Sequence, residues 1–157
     1  LQCCSCCRSM IDLAELVDYS RLQEEGLQIE IVHPVTGDLL CKITVAGPDS
    51  KKAQRAHRAA LGHVFKDLQG PLTEAAEDAY REDLMARAII SWEDVVWDGL
   101  ELQCTYDNAK RLLQSFPFIM SQLNLSLRDR SKFFRPPDQS PDEGDEAVHS
   151  GDSEIQE

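Results

Sequence analysis

The chain has 157 residues, of which 42% are hydrophobic, 28% charged and 6% aromatic. This length accommodates one modest hydrophobic core and is too short for a multidomain assembly. The formal charge of −12 argues against nucleic acid and membranes as partners, because DNA and anionic lipid both reward the neutralisation of phosphate by Lys and Arg.

The charge is distributed unevenly along the chain. Residues 138–157 contain eight acidic residues and neither Lys nor Arg, whereas residues 1–137 contain 20 acidic and 16 basic residues. The last segment also has few large apolar side chains to offset the entropy of ordering. We therefore predict a nearly neutral single domain over residues 10–134 and a disordered acidic tail over residues 135–157.

Residues 1–9 are predicted to be a disordered Cys-rich extension that precedes a natural initiator at Met10. Cys3, Cys4, Cys6 and Cys7 form two interleaved C-x2-C pairs, and thiolates at that spacing can bind Zn²⁺. The second pair of ligands that a structural zinc site needs does not occur elsewhere in the sequence. We therefore expect no metal and no cofactor, and a metal or redox module remains an alternative.

The first ordered elements are predicted to be a β-hairpin. Leu27–Val32 and Leu39–Val45 alternate apolar and polar residues, and turn residues separate them. Leu27, Ile29 and Ile31 share one face of the first strand. Cys41 shares the apolar face of the second, which predicts a small buried hydrophobic residue.

Two helices are expected to follow as a helical hairpin. Asp49 or Ser50 can cap the first helix, and Thr73 precedes the second. Their predicted inward faces consist of Ala53, Ala56, Ala60, Val64 and Leu68 in the first helix and of Ala76, Tyr80, Leu84 and Ala88 in the second. The carboxylates of the second helix, Asp83 among them, are predicted to lie on its solvated face.

The last third of the chain predicts a second short hairpin and two more helices. Val95–Trp97 and Leu100–Leu102 flank an Asp-Gly turn. Thr105 or Asp107 can cap the next helix, and Pro117 fits the first turn of the last one. The predicted fold class is therefore α+β, a mainly helical small domain with an N-terminal β-hairpin and a second short hairpin.

The sequence indicates no catalytic chemistry. It contains no P-loop, nucleophile elbow, HExxH or GxGxxG pattern. His57 and His63 are six residues apart and therefore do not share a helical face as two metal ligands would. The expectation is a protein that is not an enzyme, without a membrane span or a secretory signal.

The order of several short motifs resembles the tail assembly chaperone-type proteins of long-tailed bacteriophages. The N-terminal part of the resemblance is His33-Pro34-Val35-Thr36-Gly37 followed by a strand and Gly47-Pro48-Asp49-Ser50. The C-terminal part comprises Trp92, Gly99, Leu102, Tyr106, Asn108, Ala109, Leu112, Leu113, Pro117, Gln122 and Phe133-Phe134. The similarity covers roughly residues 10–134, whereas the Cys-rich start and the acidic tail lie outside the pattern.

The resemblance implies a chaperone in the host cytoplasm that binds the tape-measure protein and helps to recruit tail-tube subunits. Tryptophan is enriched among interface hot spots, and on this hypothesis the protein-interface candidates are Trp97, Leu100, Leu112 and Phe116. Self-association is possible. The leading alternative is a structural virion component, such as a minor tail or head-tail connector protein.

Overall fold

The computed structural model describes residues 17–66 and 70–134. Within them, five α-helices accompany a three-stranded antiparallel sheet and a separate two-stranded hairpin, which confirms the predicted α+β class. The helices are α1 (Val17–Glu25), α2 (Lys51–Val64), α3 (Glu74–Ala88), α4 (Tyr106–Ser115) and α5 (Pro117–Arg128), and a 3₁₀ turn (Arg130–Phe133) follows α5. The strands are β1 (Leu27–Val32), β2 (Leu39–Val45), β3 (Ile89–Glu93), β4 (Val96–Trp97) and β5 (Leu100–Glu101).

The sheet contains the predicted first hairpin, with the predicted strand bounds. Strands β1 and β2 pair antiparallel, with Ile31 opposite Cys41, and β3 pairs with the other edge of β2. The sequence did not predict β3 because Ile89 follows Ala88, the last residue of α3, with no turn residue between them. Strand β2 is therefore central, and Cys41 is buried as expected.

The core lies between one face of the sheet and three helices, α3, α4 and α5. The sheet contributes the inward residues of its alternating pattern, which are Ile29, Ile31, Cys41, Ile43, Val45 and Ile89. The helices contribute Met85, Ala86, Ala88, Ala109, Leu112, Leu113, Ile119 and Leu123. The apolar residues that recur every second position in the strands and every three or four positions in the helices thus pack into one core.

The predicted helix starts are confirmed at four positions. The side chains of Ser50, Thr73 and Thr105 accept hydrogen bonds from backbone amides three residues on, at 3.0, 3.2 and 3.3 Å. Pro117 occupies the first turn of α5, where its missing N–H costs nothing. Ala56 and Ala60 are buried on α2 as predicted, and Leu68 lies outside the described residues.

Helix α1 was not predicted, and it is held by a close contact with the turn between β2 and α2. Gln23 Oε1 accepts from the amide of Asp49 at 3.0 Å, and the Gly47 amide donates to the Gln23 carbonyl at 2.8 Å. A Cβ at Gly47 would come within 2.0 Å of Gln23 Oε1 and within 2.9 Å of the Gln23 Cα, a backbone atom that cannot turn away. Glycine is therefore required for α1 to pack here.

One helix face departs from the prediction. Asp83 on α3 was expected in solvent, but it is fully buried, as are Met85 and Ala86 in the same part of the helix.

No helix in the described part of the chain is long and apolar enough to cross a membrane. The Cys-rich extension, Met10 and the acidic tail lie outside the described residues.

Candidate protein-binding surface

The second hairpin forms as predicted and projects from the domain beside α4. Trp97 pairs with Leu100 across a two-residue turn in which Asp98 and Gly99 have φ angles of 52° and 78°. Two successive positive φ angles are typical of a type I′ turn, whose twist matches that of the strands. Directly paired side chains share a face, so Trp97 and Leu100 point the same way.

The hairpin is fixed to the rest of the domain at its base. Trp92 Nε1 donates to the Leu102 carbonyl at 2.7 Å, and the Leu102 amide donates to the Val95 carbonyl at 2.9 Å. Val95 is buried in the core. A two-stranded ribbon has only marginal stability by itself. These contacts stabilise this one and fix its orientation on the domain.

Trp97 is the centre of an aromatic cluster that joins the hairpin to α4 and α5. The Arg111 guanidinium lies 4.2 Å from the centroid of the Trp97 ring. The Phe116 ring is centred 5.6 Å from the Trp97 ring, and the Phe118 ring is centred 6.1 Å from that of Phe116. We call Trp97, Leu100, Arg111, Phe116 and Phe118 the aromatic surface.

Three of the four predicted interface residues belong to the aromatic surface. Leu100 is 74% exposed, Phe116 is 39% exposed and Trp97 is half-buried. Leu112 is different, because it is only 4% exposed and packs in the core on the inward face of α4. Its assignment to the interface is corrected: the apolar stripe of α4 points inward, and only its last member, Phe116, reaches the surface.

Arg111 and Phe118 are functional candidates that the sequence analysis did not identify. Arg111 lies on the polar side of α4, and its position in the sequence relative to Trp97 does not indicate a contact between the two residues. A shallow depression of about 480 Å³ brings Arg111 together with Trp97 and Leu100, and Asp98 and Glu101 also line it. The depression thus combines apolar area with exposed carboxylates.

A second cluster of polar groups surrounds Asp83. Arg87 Nε donates to Asp83 Oδ2 at 2.7 Å, and His63 Nδ1 lies 2.9 Å from Asp83 Oδ1. The Tyr106 hydroxyl also donates to Oδ1, and Lys110 Nζ lies 3.8 Å from it. The cluster therefore joins α2, α3 and α4.

Charge compensation explains how Asp83 can be buried. Burial by itself would raise the pKa of Asp83, but hydrogen bonds from Arg87, Tyr106 and His63 outweigh it and hold the pKa below its ordinary value of 3.8. Burial and the neighbouring carboxylate raise the pKa of the Tyr106 phenol. A carboxylate whose two oxygens are both engaged is poorly suited to accept a substrate proton, so we interpret the cluster as structural.

The described residues contain no group of three or more His, Cys, Asp or Glu side chains that could hold a metal ion. The four cysteines of the extension, on which the alternative of a metal or redox module depends, lie outside those residues.

His33, predicted to be a turn residue, accepts hydrogen bonds at Nδ1 from the amides of Val35 and Thr36, both at 3.2 Å.

No protein-family model matches the chain, and neither a curated protein nor a solved structure matches it significantly. The chain's own residues and its motif resemblance are therefore the observations that bear on its function.

Proposed function

We propose that this protein binds another protein through the aromatic surface, as a tail assembly chaperone of a long-tailed bacteriophage. The observation that carries the binding role is that Trp97 and Leu100, on an anchored hairpin, form a partly exposed apolar cluster with Phe116 of the α4–α5 junction. The motif resemblance supplies the identity of the client, which is the tape-measure protein, and of the tail-tube protein that is recruited later.

The chemistry of the aromatic surface suits protein binding. Tryptophan and arginine are enriched among the residues that carry most of the energy of an interface. The Arg111–Trp97 stack and the anchored hairpin hold these groups in place before binding, which lowers the entropy lost on association. A surface of this kind favours a protein partner over a small substrate.

The surface also indicates what kind of segment it binds. A tape-measure protein is long and helical, and an amphipathic helix can lay its apolar stripe across Trp97 and Leu100. Asp98 and Glu101 line the same depression, so Lys or Arg beside that stripe would complete the charge match. We therefore expect the preferred client segments to be amphipathic helices with basic flanks.

Co-expression with the neighbouring tape-measure protein tests the proposal. The wild-type chain should co-purify with that protein and increase its soluble fraction. Trp97→Ala and Leu100→Asp should weaken the complex at least tenfold, which corresponds to about 1.4 kcal/mol. Val35→Asp is the matched control, because Val35 is 86% exposed but lies outside the aromatic surface. The absence of any complex would contradict the proposal.

Two further measurements separate the alternatives. A chaperone should be missing from purified virions in mass spectrometry, whereas a minor tail or connector protein should be present in them. Replacing Cys3, Cys4, Cys6 and Cys7 with Ser in the full chain should leave the complex intact. A complex that needs these thiols, together with bound zinc in elemental analysis, would favour the metal or redox module.

A further inference from the structure

A groove of about 790 Å³ lies between α2, α3 and α5. Its floor is apolar and is formed by Ala53 of α2, Leu84, Met85 and Ala88 of α3, and Leu127 of α5. Met85 and Ala88 are buried, whereas Leu84 and Leu127 are half-buried and have apolar area to cover. The groove shares no residue with the depression beside Trp97, so it is a separate surface.

The rim of the groove is basic. Arg58, Arg128 and Arg130 line it, and no Asp or Glu does so. Arg130 is engaged by Asp49 at 2.9 Å, but Arg58 and Arg128 form no ion pair within residues 17–66 and 70–134. An occupant that fits both floor and rim must therefore combine an apolar stripe with carboxylates.

The chain itself supplies such a segment immediately before α1. Residues 10–16 read Met-Ile-Asp-Leu-Ala-Glu-Leu and contain no basic residue. In a helix, side chains three residues apart lie on the same side, so Leu13 and Leu16 would form one stripe and Asp12 and Glu15 another. A helix of these seven residues would therefore present both the apolar stripe and the carboxylates that the groove requires.

The start of α1 lies next to one end of the groove. The Tyr19 hydroxyl donates to Asp49, and Asp49 in turn accepts from Arg130, which lines the groove. Pro48, the neighbour of Asp49, lines it as well. Seven helical residues span about 10 Å, which matches the stretch of roughly 8 Å between Ala53 and Arg58 along α2.

We infer that residues 10–16 dock in this groove, with Leu13 and Leu16 on its apolar floor and Asp12 and Glu15 facing Arg58 and Arg128. The acidic segment 138–157 fits less well. It offers eight carboxylates for the rim, but Val148 and Ile155 are its only large aliphatic residues for the floor. The docked segment closes the groove within one chain and leaves the aromatic surface free, so the inference does not depend on the proposed client.

Photo-crosslinking in the full chain tests this contact. A benzophenone amino acid replaces Gln54, an exposed residue that lines the groove. The expected product is a monomer in which position 54 is joined to the tryptic peptide of residues 9–21. A benzophenone at Gln114, which is exposed on α4 and does not line the groove, is the control and should not label that peptide.

Three outcomes of the reaction overturn the inference. Crosslinking to the peptide of residues 133–157 would make the acidic tail the occupant. A crosslinked dimer would assign the groove to a second copy of the chain, and the absence of a crosslink from position 54 to residues 9–21 would show that the segment does not dock.

Variants identify the forces that hold the segment. Leu13→Asp with Leu16→Asp should lower the crosslinking yield about fivefold or more, whereas Leu125→Asp, a 70% exposed residue outside the groove, should not change it. Arg58→Glu should lower the yield about two- to fivefold, the range of an exposed ion pair. Because Asp12 and Glu15 face Arg58 and Arg128 together, the exchange that should restore it combines Arg58→Glu and Arg128→Glu with Asp12→Arg and Glu15→Arg, and its crosslink is read on the shorter peptides into which trypsin then divides residues 9–21. An unchanged yield in the leucine variant, or no recovery after the charge exchange, would contradict the proposed orientation.

Discussion

The side-chain amide of Gln122 forms two hydrogen bonds with the main chain of Val32, 90 residues away in sequence. Its Oε1 accepts from the Val32 amide at 3.0 Å, and its Nε2 donates to the Val32 carbonyl at 2.8 Å. Strand β1 is an edge strand, and its register with β2 shifts between Ile31 and Val32. Gln122 therefore satisfies the backbone groups of β1 at its irregular end and attaches α5 to the sheet.

Gln122→Met should lower the free energy of unfolding by about 1–2 kcal/mol, because two partly exposed hydrogen bonds are lost while side-chain volume is kept. Urea unfolding measures this change. Gln114→Met is the control: the Gln114 amide makes a single exposed bond, to Glu82 at 3.0 Å, and its loss should cost less than about 0.5 kcal/mol. Equal losses of unfolding free energy in the two variants would show that the hydrogen bonds of Gln122 to β1 stabilise the protein no more than the exposed bond of Gln114 does.

Asp83→Ala should lower the free energy of unfolding by about 2–3 kcal/mol, because Arg87 and Tyr106 lose their buried partner. The expected loss lies below that of a fully buried pair, since the side chains of Arg87 and His63 are 29% and 53% exposed. Thermal or urea unfolding gives the value. Asp78→Ala breaks an exposed pair with Arg81 at 3.3 Å and should cost less than about 0.5 kcal/mol.

The same carboxylate should make stability depend on pH in acid. Because the folded-state pKa of Asp83 lies below 3.8, the unfolded chain binds more protons between the two pKa values, and stability rises with pH there. The stabilisation is complete above the unfolded pKa and is lost as the pH falls through the folded one. In urea titrations, the stability difference between wild type and Asp83→Asn should therefore be constant near neutrality and shrink below about pH 4. A difference that is independent of pH down to pH 2 would contradict this.

Gly26→Ala should cost about 3 kcal/mol or more, because backbone strain and overlap combine. Gly26 has a φ of 84°, and a Cβ there would lie 2.5 Å from the Val45 carbonyl oxygen. Gly37 separates the two effects, because its φ is 75° but nothing lies within 4 Å of the Cβ position. Gly37→Ala should cost only the strain, about 1 kcal/mol, in the same unfolding measurement. A similar loss of unfolding free energy in Gly26→Ala and Gly37→Ala would show that the close approach of Gly26 to β2 does not affect stability.

Leu112→Ala should destabilise the protein by about 2–5 kcal/mol, the range for a large-to-small change in a packed core. Leu100→Ala should change the free energy of unfolding by less than about 0.5 kcal/mol, since Leu100 is 74% exposed. Chemical denaturation of the two variants compares them directly. A small effect at Leu112 would return that residue to the list of surface candidates.

Local sequence signals predicted much of the secondary structure correctly. Strands β1 and β2 follow from strict alternation of apolar residues, and the helix starts at Ser50, Thr73 and Thr105 follow from capping chemistry. The hairpin at Trp97 follows from its Asp-Gly turn. Each of these depends on neighbours within a few residues, which the sequence shows directly.

Contacts between distant residues could not be predicted in this way. Strand β3 adopts its conformation because β2 offers it a free edge, and α1 is held by Gln23 against the glycine of a turn 24 residues further on. At Asp83 the general rule that helix carboxylates face water fails, because Arg87 of the same helix and groups from α2 and α4 together compensate the buried charge. The i, i+4 spacing indicates Arg87 as a partner, but no local pattern records the partners from the other two helices.

The candidate surface shows the same division. The sequence by itself determined the α+β class, the first hairpin, the capped helices and the neighbourhood of Trp97, because short-range periodicity and turn chemistry suffice for them. Only the tertiary structure decided that Leu112 is core, that Arg111 covers Trp97 and that Asp83 is buried. The physical reason is that burial and charge compensation depend on which elements pack together, and that packing joins residues far apart in the chain.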